Sequence, residues 1–206
     1  VGNLIALRQT NVVRMLAYSG IAQAGFILAP FAVIETNRQA ALSSIVIYLV
    51  IYAAMNLGAF AVIIAIARKT RSAEISSFGG LFSYMPGLTV ALTIFLASLT
   101  GIPPLGGWYA KFSVWSALVG ADTAMGYVLA VVMALNTVVA AFYYMNVARA
   151  MWFDPAPDGD VTPVRVPAGL MAAIVISGAA TIILGFFPGL VTDISNFAPS
   201  LASLGG

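Results

Sequence analysis

Residues 86–121 read PGLTVALTIFLASLTGIPPLGGWYAKFSVWSALVGA, and this stretch decides the fold. It is apolar and long enough to cross a membrane. Glycine and proline disfavour a continuous helix, and the sequence predicts a helix that is broken near residues 100–106. Transporters use such discontinuous helices to place ion sites near the bilayer midplane. The break contains five of these residues: Gly101, Pro103, Pro104, Gly106 and Gly107.

Lys111 follows the last of these glycines by four residues and carries the only charge in the stretch. At 1.5 Å per residue it lies ~6–8 Å into the second half-helix, near the middle of the membrane. A charge at that depth is costly and is by default a functional-site hypothesis. We therefore predict that Lys111 is a protonatable group on an ion path. The alternatives are snorkelling to the interface, disfavoured by the apolar helix on either side, and an ion pair, for which the spans offer no acid.

The proton affinity of Lys111 is subject to opposing effects. Burial and the N-terminal end of the second half-helix disfavour the charged form, whereas the C-terminal end of the first half-helix favours it. The sequence does not fix their sum, so a neighbouring charge can tip the balance. A lysine poised in this way is suited to relaying a proton.

The composition is that of an integral membrane protein. Of the 206 residues, 61% are hydrophobic and only 8% are charged, against about 25% charged in soluble domains. Apolar runs of roughly 20 residues without alternation indicate helices rather than barrel strands. The sequence thus predicts an all-α, polytopic transmembrane helical bundle with about six spans, one of them discontinuous.

Several chemistries are excluded or disfavoured. The sequence has no cysteine and no histidine, which removes disulfides and most zinc, haem and iron–sulfur ligation within this chain. No phosphate-binding loop, catalytic triad or metal-ligand spacing occurs. The basic residues lie at span ends, so we expect no nucleic-acid partner. We predict no metal and no cofactor in this chain.

The chain divides into a membrane domain over residues 1–188 and an interfacial or loose tail over 189–206. It opens inside an apolar run without a methionine, and we expect it to be the C-terminal part of a longer protein. The first apolar run reads as the end of a span. The six predicted segments cover residues 1–7, 12–34, 41–67, 88–119, 124–150 and 166–187.

The charges at the span ends predict the orientation. The loop after residue 7 defines one side of the membrane, and this side receives seven of the eight basic residues outside the broken span. The opposite side receives only Arg38. The excess of positive charge identifies the first side as cytoplasmic. Its basic residues are Arg8, Arg14, Arg68, Lys69, Arg71, Arg149 and Arg165.

Polar side chains in other spans are candidates for a hydrated path that Lys111 joins. Tyr48, Tyr52 and Asn56 follow one another at four-residue spacing and share a helical face. The alternative is that such residues form interhelical hydrogen bonds, as is common in membrane bundles; that reading is favoured for any single one of them. The candidate path residues are Gln23, Tyr48, Tyr52, Asn56, Ser98, Thr100, Tyr109, Asn136, Tyr143 and Tyr144.

Several blocks resemble a known family. The chain is similar to subunit N of respiratory NADH:quinone oxidoreductase (complex I), an antiporter-like membrane-arm subunit. The MNLGAF block and the spacing GIPP-G-x-x-x-K-F favour subunit N within this superfamily. The blocks are QTNVVRMLAYSGIAQAGF at 9–26, IYAAMNLGAFAVI at 51–63, SSFGGLFSYMPGLTVALTIFLASLTGIPPLGGWYAKF at 76–112 and AFYYMNVARAMWF at 141–153.

The resemblance implies two inverted five-helix repeats, of which this chain holds mostly the second together with one further helix. Lys111 corresponds to the family's broken-helix lysine on the proton-exit side. Many members carry lysine where this chain has Val13, and histidine where it has Gln23, which would make the path less titratable and more dependent on water. The family's redox groups (NADH, flavin, iron–sulfur clusters and quinone) are expected in other subunits.

The expected function is therefore proton translocation in the membrane arm of NADH:quinone oxidoreductase, driven by quinone reduction elsewhere in the complex. The expected partners are other membrane-arm subunits, including antiporter-like neighbours, and lipids. The expected location is the bacterial plasma membrane. The alternatives are a subunit of a multisubunit cation/proton antiporter or membrane-bound hydrogenase, which shares the broken helix and lysine, and a non-conducting membrane scaffold.

Overall fold

A computed structural model describes residues 1–157, 161–163 and 165–193. Within these ranges every long element is a helix, and the backbone forms no sheet, only one isolated bridge between loops. Of the predicted tail over 189–206, residues 194–206 lie outside the described part of the chain. The helices are α1 (Gly2–Ala6), α2 (Val12–Leu28), α3 (Arg38–Thr70), α4 (Leu81–Tyr84), α5 (Pro86–Thr100), α6 (Gly106–Gly120), α7 (Ala124–Phe153) and α8 (Ala168–Phe186).

The predicted all-α polytopic bundle is confirmed. Helix α2 with its 3-10 extension, α3, α7 and α8 are each long and apolar enough to cross a membrane. Helices α5 and α6 have 15 residues each, about 22 Å apiece at 1.5 Å per residue, so neither spans a hydrocarbon core of about 30 Å alone. Together they make one interrupted crossing. Helix α1 has five residues and packs against α2 and α7.

The helix break falls at residues 101–105, inside the predicted range. Gly101 ends α5 with φ 94°, a left-handed conformation that glycine adopts without steric cost. Leu105 is the extended residue before α6. Of the glycines predicted to form the break, Gly106 and Gly107 are instead the first two residues of α6, where they allow close packing against neighbouring elements.

Helix α3 is the central helix of the bundle. It is 33 residues long and packs against α2, α5, α6 and α8. Phe95 of α5 inserts its ring against Gly58 of α3, where a Cβ would overlap the ring, and it reaches Gly178 of α8 on the other side. This packing fixes the first half of the broken helix between two continuous spans.

The loop before α2 and the loop after α3 are joined by a short backbone and side-chain contact. Asn11 and Glu74 form an isolated antiparallel bridge, with hydrogen bonds from Val12 N to Ala73 O (2.8 Å) and from Ile75 N to Thr10 O (2.7 Å). The Glu74 carboxylate accepts a hydrogen bond from Asn11 Nδ2 at 3.0 Å and lies 3.8 Å from the Arg14 guanidinium. The start of α2 is thereby tied to the chain that leaves α3.

The contact makes a pH-dependent prediction for Glu74→Gln. Hydrogen bonds from Asn11 and Thr10, together with the nearby Arg14 charge, lower the pKa of Glu74. A group with a lowered pKa in the folded state stabilises the fold above its ordinary pKa, and this contribution is lost as the pH falls through the folded value. Glu74→Gln should therefore lower the thermal midpoint of the purified full-length subunit slightly at pH 7, and the difference should vanish in acid.

Glu35→Gln is the control, because Glu35 is an exposed glutamate in the loop between α2 and α3, away from this contact. It should leave the midpoint and its pH dependence unchanged. A Glu74→Gln effect that is equally large at low pH would contradict the assignment.

Candidate functional site at the helix break

The C-terminal end of α5 has two backbone carbonyls that the helix itself does not satisfy. The N–H groups of Gly101 and Ile102 both donate to Ala97 O at 3.0 Å, and Gly101 N also lies 2.9 Å from Ser98 O. The carbonyls of Leu99 and Thr100 are left over. Each unpaired backbone carbonyl in the hydrocarbon region of a membrane costs on the order of several kcal/mol.

Both carbonyls are satisfied by side chains from other elements. Lys111 Nζ donates to Thr100 O at 2.8 Å, and Gln23 Nε2 donates to Leu99 O at 3.3 Å. Lysine thus comes from the second half-helix and glutamine from α2. The end of α5 brings the two side chains onto adjacent peptide groups.

Lys111 reaches the break because helical side chains lean toward the N-terminus of their own helix. The residue is only 7% exposed. Its ammonium lies 5.4 Å from the centre of the Phe26 ring, within the range of a cation–π interaction. No acidic side chain in the described part of the chain forms a salt bridge with it. Burial opposes the charge, while the carbonyl, the ring face and the negative end of the α5 dipole stabilise it.

Small residues let the two half-helices meet. Gly107 N donates to Ser98 Oγ at 3.0 Å, so a side chain of α5 caps a free N–H at the start of α6. A Cβ on Gly107 would overlap the Ser98 carbonyl, and a Cβ on Gly101 would lie 2.9 Å from Lys111 Cδ. The Ser98 hydroxyl also contacts Met55 Sδ at 3.3 Å on α3. Ser98 is therefore a structural link within the break.

A hydrogen-bonded group of side chains extends from Gln23. Tyr48 of α3 donates a short hydrogen bond to Gln23 Oε1, and Tyr144 of α7 bonds the hydroxyl of Ser19. The Tyr144 ring packs against that of Tyr143, with 4.5 Å between the ring centres, and Ser19 and Gln23 share a face of α2 at four-residue spacing. These contacts connect α2, α3 and α7 through buried polar atoms.

The group ends at Asn3 of α1. Tyr143 OH donates to Asn3 Oδ1 at 2.9 Å, and Asn3 Nδ2 donates to the Asn136 carbonyl at 2.9 Å and to Asn136 Oδ1 at 3.2 Å. The continuous connection therefore runs from α6 through the end of α5 to α2, α3, α7 and α1. The links are side-chain hydrogen bonds, the shared end of α5, the face of α2 that carries Ser19 and Gln23, and the packed rings of Tyr143 and Tyr144.

Three candidate path residues lie outside this group. Tyr52 approaches α2: its hydroxyl is 3.2 Å from the point where a Cβ on Gly20 would lie. Its side chain makes no hydrogen bond to a described residue. Asn56 and Tyr109 are half-buried and likewise make none within the described ranges. Thr100 contributes its backbone carbonyl, because its hydroxyl is turned back to Leu96 O at 2.8 Å.

The candidate residues drawn from the sequence omitted Asn3 and Ser19. Asn3 is 1% exposed and Ser19 is 2% exposed, and both hold positions within the group. Asn3 had a detectable signal, since an asparagine within the apolar run VGNLIAL is a buried polar residue in a membrane segment. Ser19 also had a signal, since it stands four residues before Gln23 on the same helical face, where the sequence predicts either an extension of the polar path or a helix contact.

The chain belongs to the NADH:quinone oxidoreductase/Mrp antiporter transmembrane family, whose model matches residues 1–138. NADH-quinone oxidoreductase subunit N of Brevibacillus brevis is 40% identical over 193 residues, covering 94% of this chain and 36% of the relative. Subunit N of Geobacillus kaustophilus is 42% identical over 196 residues, covering 94% and 38%. The predicted resemblance to subunit N is confirmed.

Solved structures share the fold. A chain of respiratory complex I from Thermus thermophilus superimposes with a TM-score of 0.70 at 32% identity, covering 93% of this chain and 42% of its own. The Mrp complex from Dietzia contains a chain with TM-score 0.82 at 21% identity, covering 96% and 44%, a likeness of fold alone. The present chain thus spans less than half the length of these proteins. It is a multi-pass membrane protein whose curated relatives come from bacteria, which indicates the plasma membrane.

Gly185 of α8 packs on the helix break. A Cβ there would overlap the backbone of residues 104–106. Gly185→Ala should therefore displace the break and destabilise the assembled protein by about 1–3 kcal/mol, the usual cost of overpacking. Thermal unfolding of the detergent-purified protein measures the loss. Gly169→Ala, on the same helix with open space around its Cβ, should be neutral, and an equal loss in both would refute the packing argument.

A second prediction compares two tyrosines. Tyr48→Phe removes the donor to Gln23 Oε1 in a fully buried position, leaving a buried acceptor unsatisfied at a cost of about 1–3 kcal/mol. Tyr109→Phe removes a hydroxyl that has no hydrogen bond to the described residues, and it should change stability little. Chemical unfolding of the full-length protein measures both variants. A Tyr48→Phe variant as stable as Tyr109→Phe would show that Gln23 is satisfied in another way.

Proposed function

We propose that the chain is the C-terminal part of a proton-translocating membrane-arm subunit of NADH:quinone oxidoreductase, in which Lys111 relays the proton. The observation that carries the proposal is a buried lysine, without an acidic counter-ion among the described residues, that a carbonyl at the end of a broken helix holds. Intramembrane ionisable groups mark ion pathways. Relatives at about 40% identity that are named NADH-quinone oxidoreductase subunit N support the choice of complex.

The surroundings of Lys111 suit a group that gains and loses a proton. The protonated amine donates to Thr100 O and faces the Phe26 ring, and both contacts stabilise its charge. No carboxylate holds that charge permanently in the described part of the chain. A charge that changes in a neighbouring element can therefore shift the lysine between its two forms. Quinone reduction elsewhere in the complex would supply that change.

The proton would reach or leave Lys111 along the polar group described above. Tyrosine and serine hydroxyls both donate and accept hydrogen bonds, so Tyr48, Tyr144 and Ser19 can pass a proton between neighbours. Gln23 is an amide and does not titrate, and water is needed between it and the lysine. Tyr52, Asn56 and Tyr109 stay candidates as residues that contact such water.

The chain itself contributes no redox chemistry in this proposal. NADH, flavin, iron–sulfur clusters and quinone belong to other subunits, and no cofactor is bound by this one. Among the described residues no three acidic, histidine or cysteine side chains gather into a metal site. The partners are other membrane-arm subunits, including antiporter-like neighbours, and membrane lipids. The enzyme activity is that of the assembled translocase.

A cation/proton antiporter subunit is the second candidate, because the matching family model includes Mrp antiporters and the Mrp chain shares the fold. A membrane-bound hydrogenase subunit with the same broken helix, and a non-conducting scaffold, complete the alternatives. Partner proteins that co-purify with the full-length subunit distinguish the complexes: NADH dehydrogenase subunits support the proposal, and a set of antiporter subunits contradicts it.

If Lys111 relays the proton, Lys111→Met should abolish proton pumping through this subunit in the assembled complex. The methionine fills a similar volume but carries no proton. Reconstituted vesicles with a pH-sensitive dye measure pumping, and NADH-driven quinone reduction is measured in the same preparation. Lys111→Arg retains the charge but releases its proton far less readily, and it should also impair pumping.

Trp115→Phe is the control on the same half-helix, since Trp115 is 43% exposed and lies outside the polar group. It should pump as the unchanged protein does. Unaltered pumping by a fully assembled Lys111→Met complex would exclude Lys111 as the relay and favour the scaffold.

A further inference from the structure

Two cavities lie side by side at the end of α3 and the start of α5 and α8, on the side that the basic residues predict to be cytoplasmic. The first has a volume of about 420 Å³ and contains three cationic residues. The second has a volume of about 480 Å³ and is lined almost entirely by apolar side chains of α5 and α8. The cationic residues of the first cavity are Arg68, Lys69 and Arg165.

Described residues just before α8 form the wall between the two cavities. Pro163 lines both of them. Farther along, Arg165 and Pro167 face the basic cavity, whereas Val166 between them faces the apolar groove, as expected where successive residues of an extended segment point to opposite sides. A single elongated ligand can therefore lie in both cavities at once.

A second contact joins the cavities. Lys69 Nζ lies 4.5 Å from the centre of the Tyr84 ring, and Tyr84 lines the apolar groove. Lys69 also donates to the Thr162 carbonyl, which fixes its ammonium at the mouth of the basic cavity. Arg68 and Arg165 are exposed there. Three cationic side chains line this cavity, so it attracts an anion.

The dimensions of the groove match one leaflet of a bilayer. Its α5 wall runs from Gly87 to Phe95, a rise of about 12 Å at 1.5 Å per residue. One leaflet of hydrocarbon is about 15 Å thick, half of a core of about 30 Å. Gly87 and Ala91 keep the groove open along this length because their side chains are small. The basic cavity lies at its cytoplasmic end.

We propose that these cavities form a binding site for an anionic phospholipid of the cytoplasmic leaflet. The phosphate lies between Arg68 and Arg165, near Lys69, and an acyl chain fills the groove between α5 and α8. Basic pockets between membrane helices on the cytoplasmic side are suited to acidic headgroups. Because α5 carries the carbonyls that hold Lys111 and Gln23, the lipid would brace the half-helix on which the relay rests.

The test uses the assembled complex in phosphatidylcholine nanodiscs containing added phosphatidylglycerol. Mass spectrometry counts the phosphatidylglycerol that remains bound through purification. The double variant Arg68→Gln/Arg165→Gln should bind it about 30-fold more weakly, because each surface cation strengthens binding about fivefold. Arg8→Gln/Arg71→Gln is the control, since it removes the same charge from the same face without touching either cavity.

A photoreactive residue in place of Ile94, which lines the groove, identifies the occupant independently of affinity. A phosphatidylglycerol adduct that disappears in the Arg68→Gln/Arg165→Gln background supports the site. Three outcomes would overturn it: an adduct with another subunit, an adduct with phosphatidylcholine that is equally frequent in both backgrounds, or equal lipid retention by the two double variants. None of these outcomes depends on whether Lys111 conducts protons.

Discussion

The bundle depends on one constraint: a helix that ends inside a membrane must satisfy its last carbonyls with side chains. At the end of α5, Gly101 and Ile102 satisfy only the carbonyls of residues 97 and 98. Lys111 and Gln23 satisfy the next two. Hydrocarbon offers no water for this purpose. The two side chains are therefore needed by the fold as well as by the proposed transport, which explains how a buried cation is tolerated.

The same arrangement gives the Lys111 amine both a structural role and the proposed transporting role. A Lys111 amine that is fully neutralised still donates to Thr100 O, so the break survives the loss of the proton. Loss of the charge instead weakens the attraction between Lys111 and the Phe26 ring and between Lys111 and the negative end of the α5 dipole. A relay built in this way can cycle without unfolding its own support. Gln23 holds the neighbouring carbonyl throughout, because its amide carries no charge in either state.

Close packing makes the arrangement rigid. Gly58, Gly107 and Gly185 each stand where a Cβ would overlap a neighbouring ring or backbone. Small residues at such points let membrane helices approach closely, which is the main source of their association in lipid. The break is consequently enclosed by α3 on one side and α8 on the other. At the cytoplasmic end, the groove between α5 and α8 leaves space that the proposed lipid would fill.

The sequence by itself determined the class of protein, its all-α membrane bundle, the position of the break and the prominence of Lys111. These follow from local properties: apolar run length, glycine and proline, and the cost of a charge in lipid. Only the tertiary structure decided the partners. It joined Gln23 to Leu99 and Tyr143 to Asn3, and it left Tyr52, Asn56 and Tyr109 outside the group. Helical periodicity shows which residues share a face, but the rotation and depth of each neighbouring helix decide which face it meets.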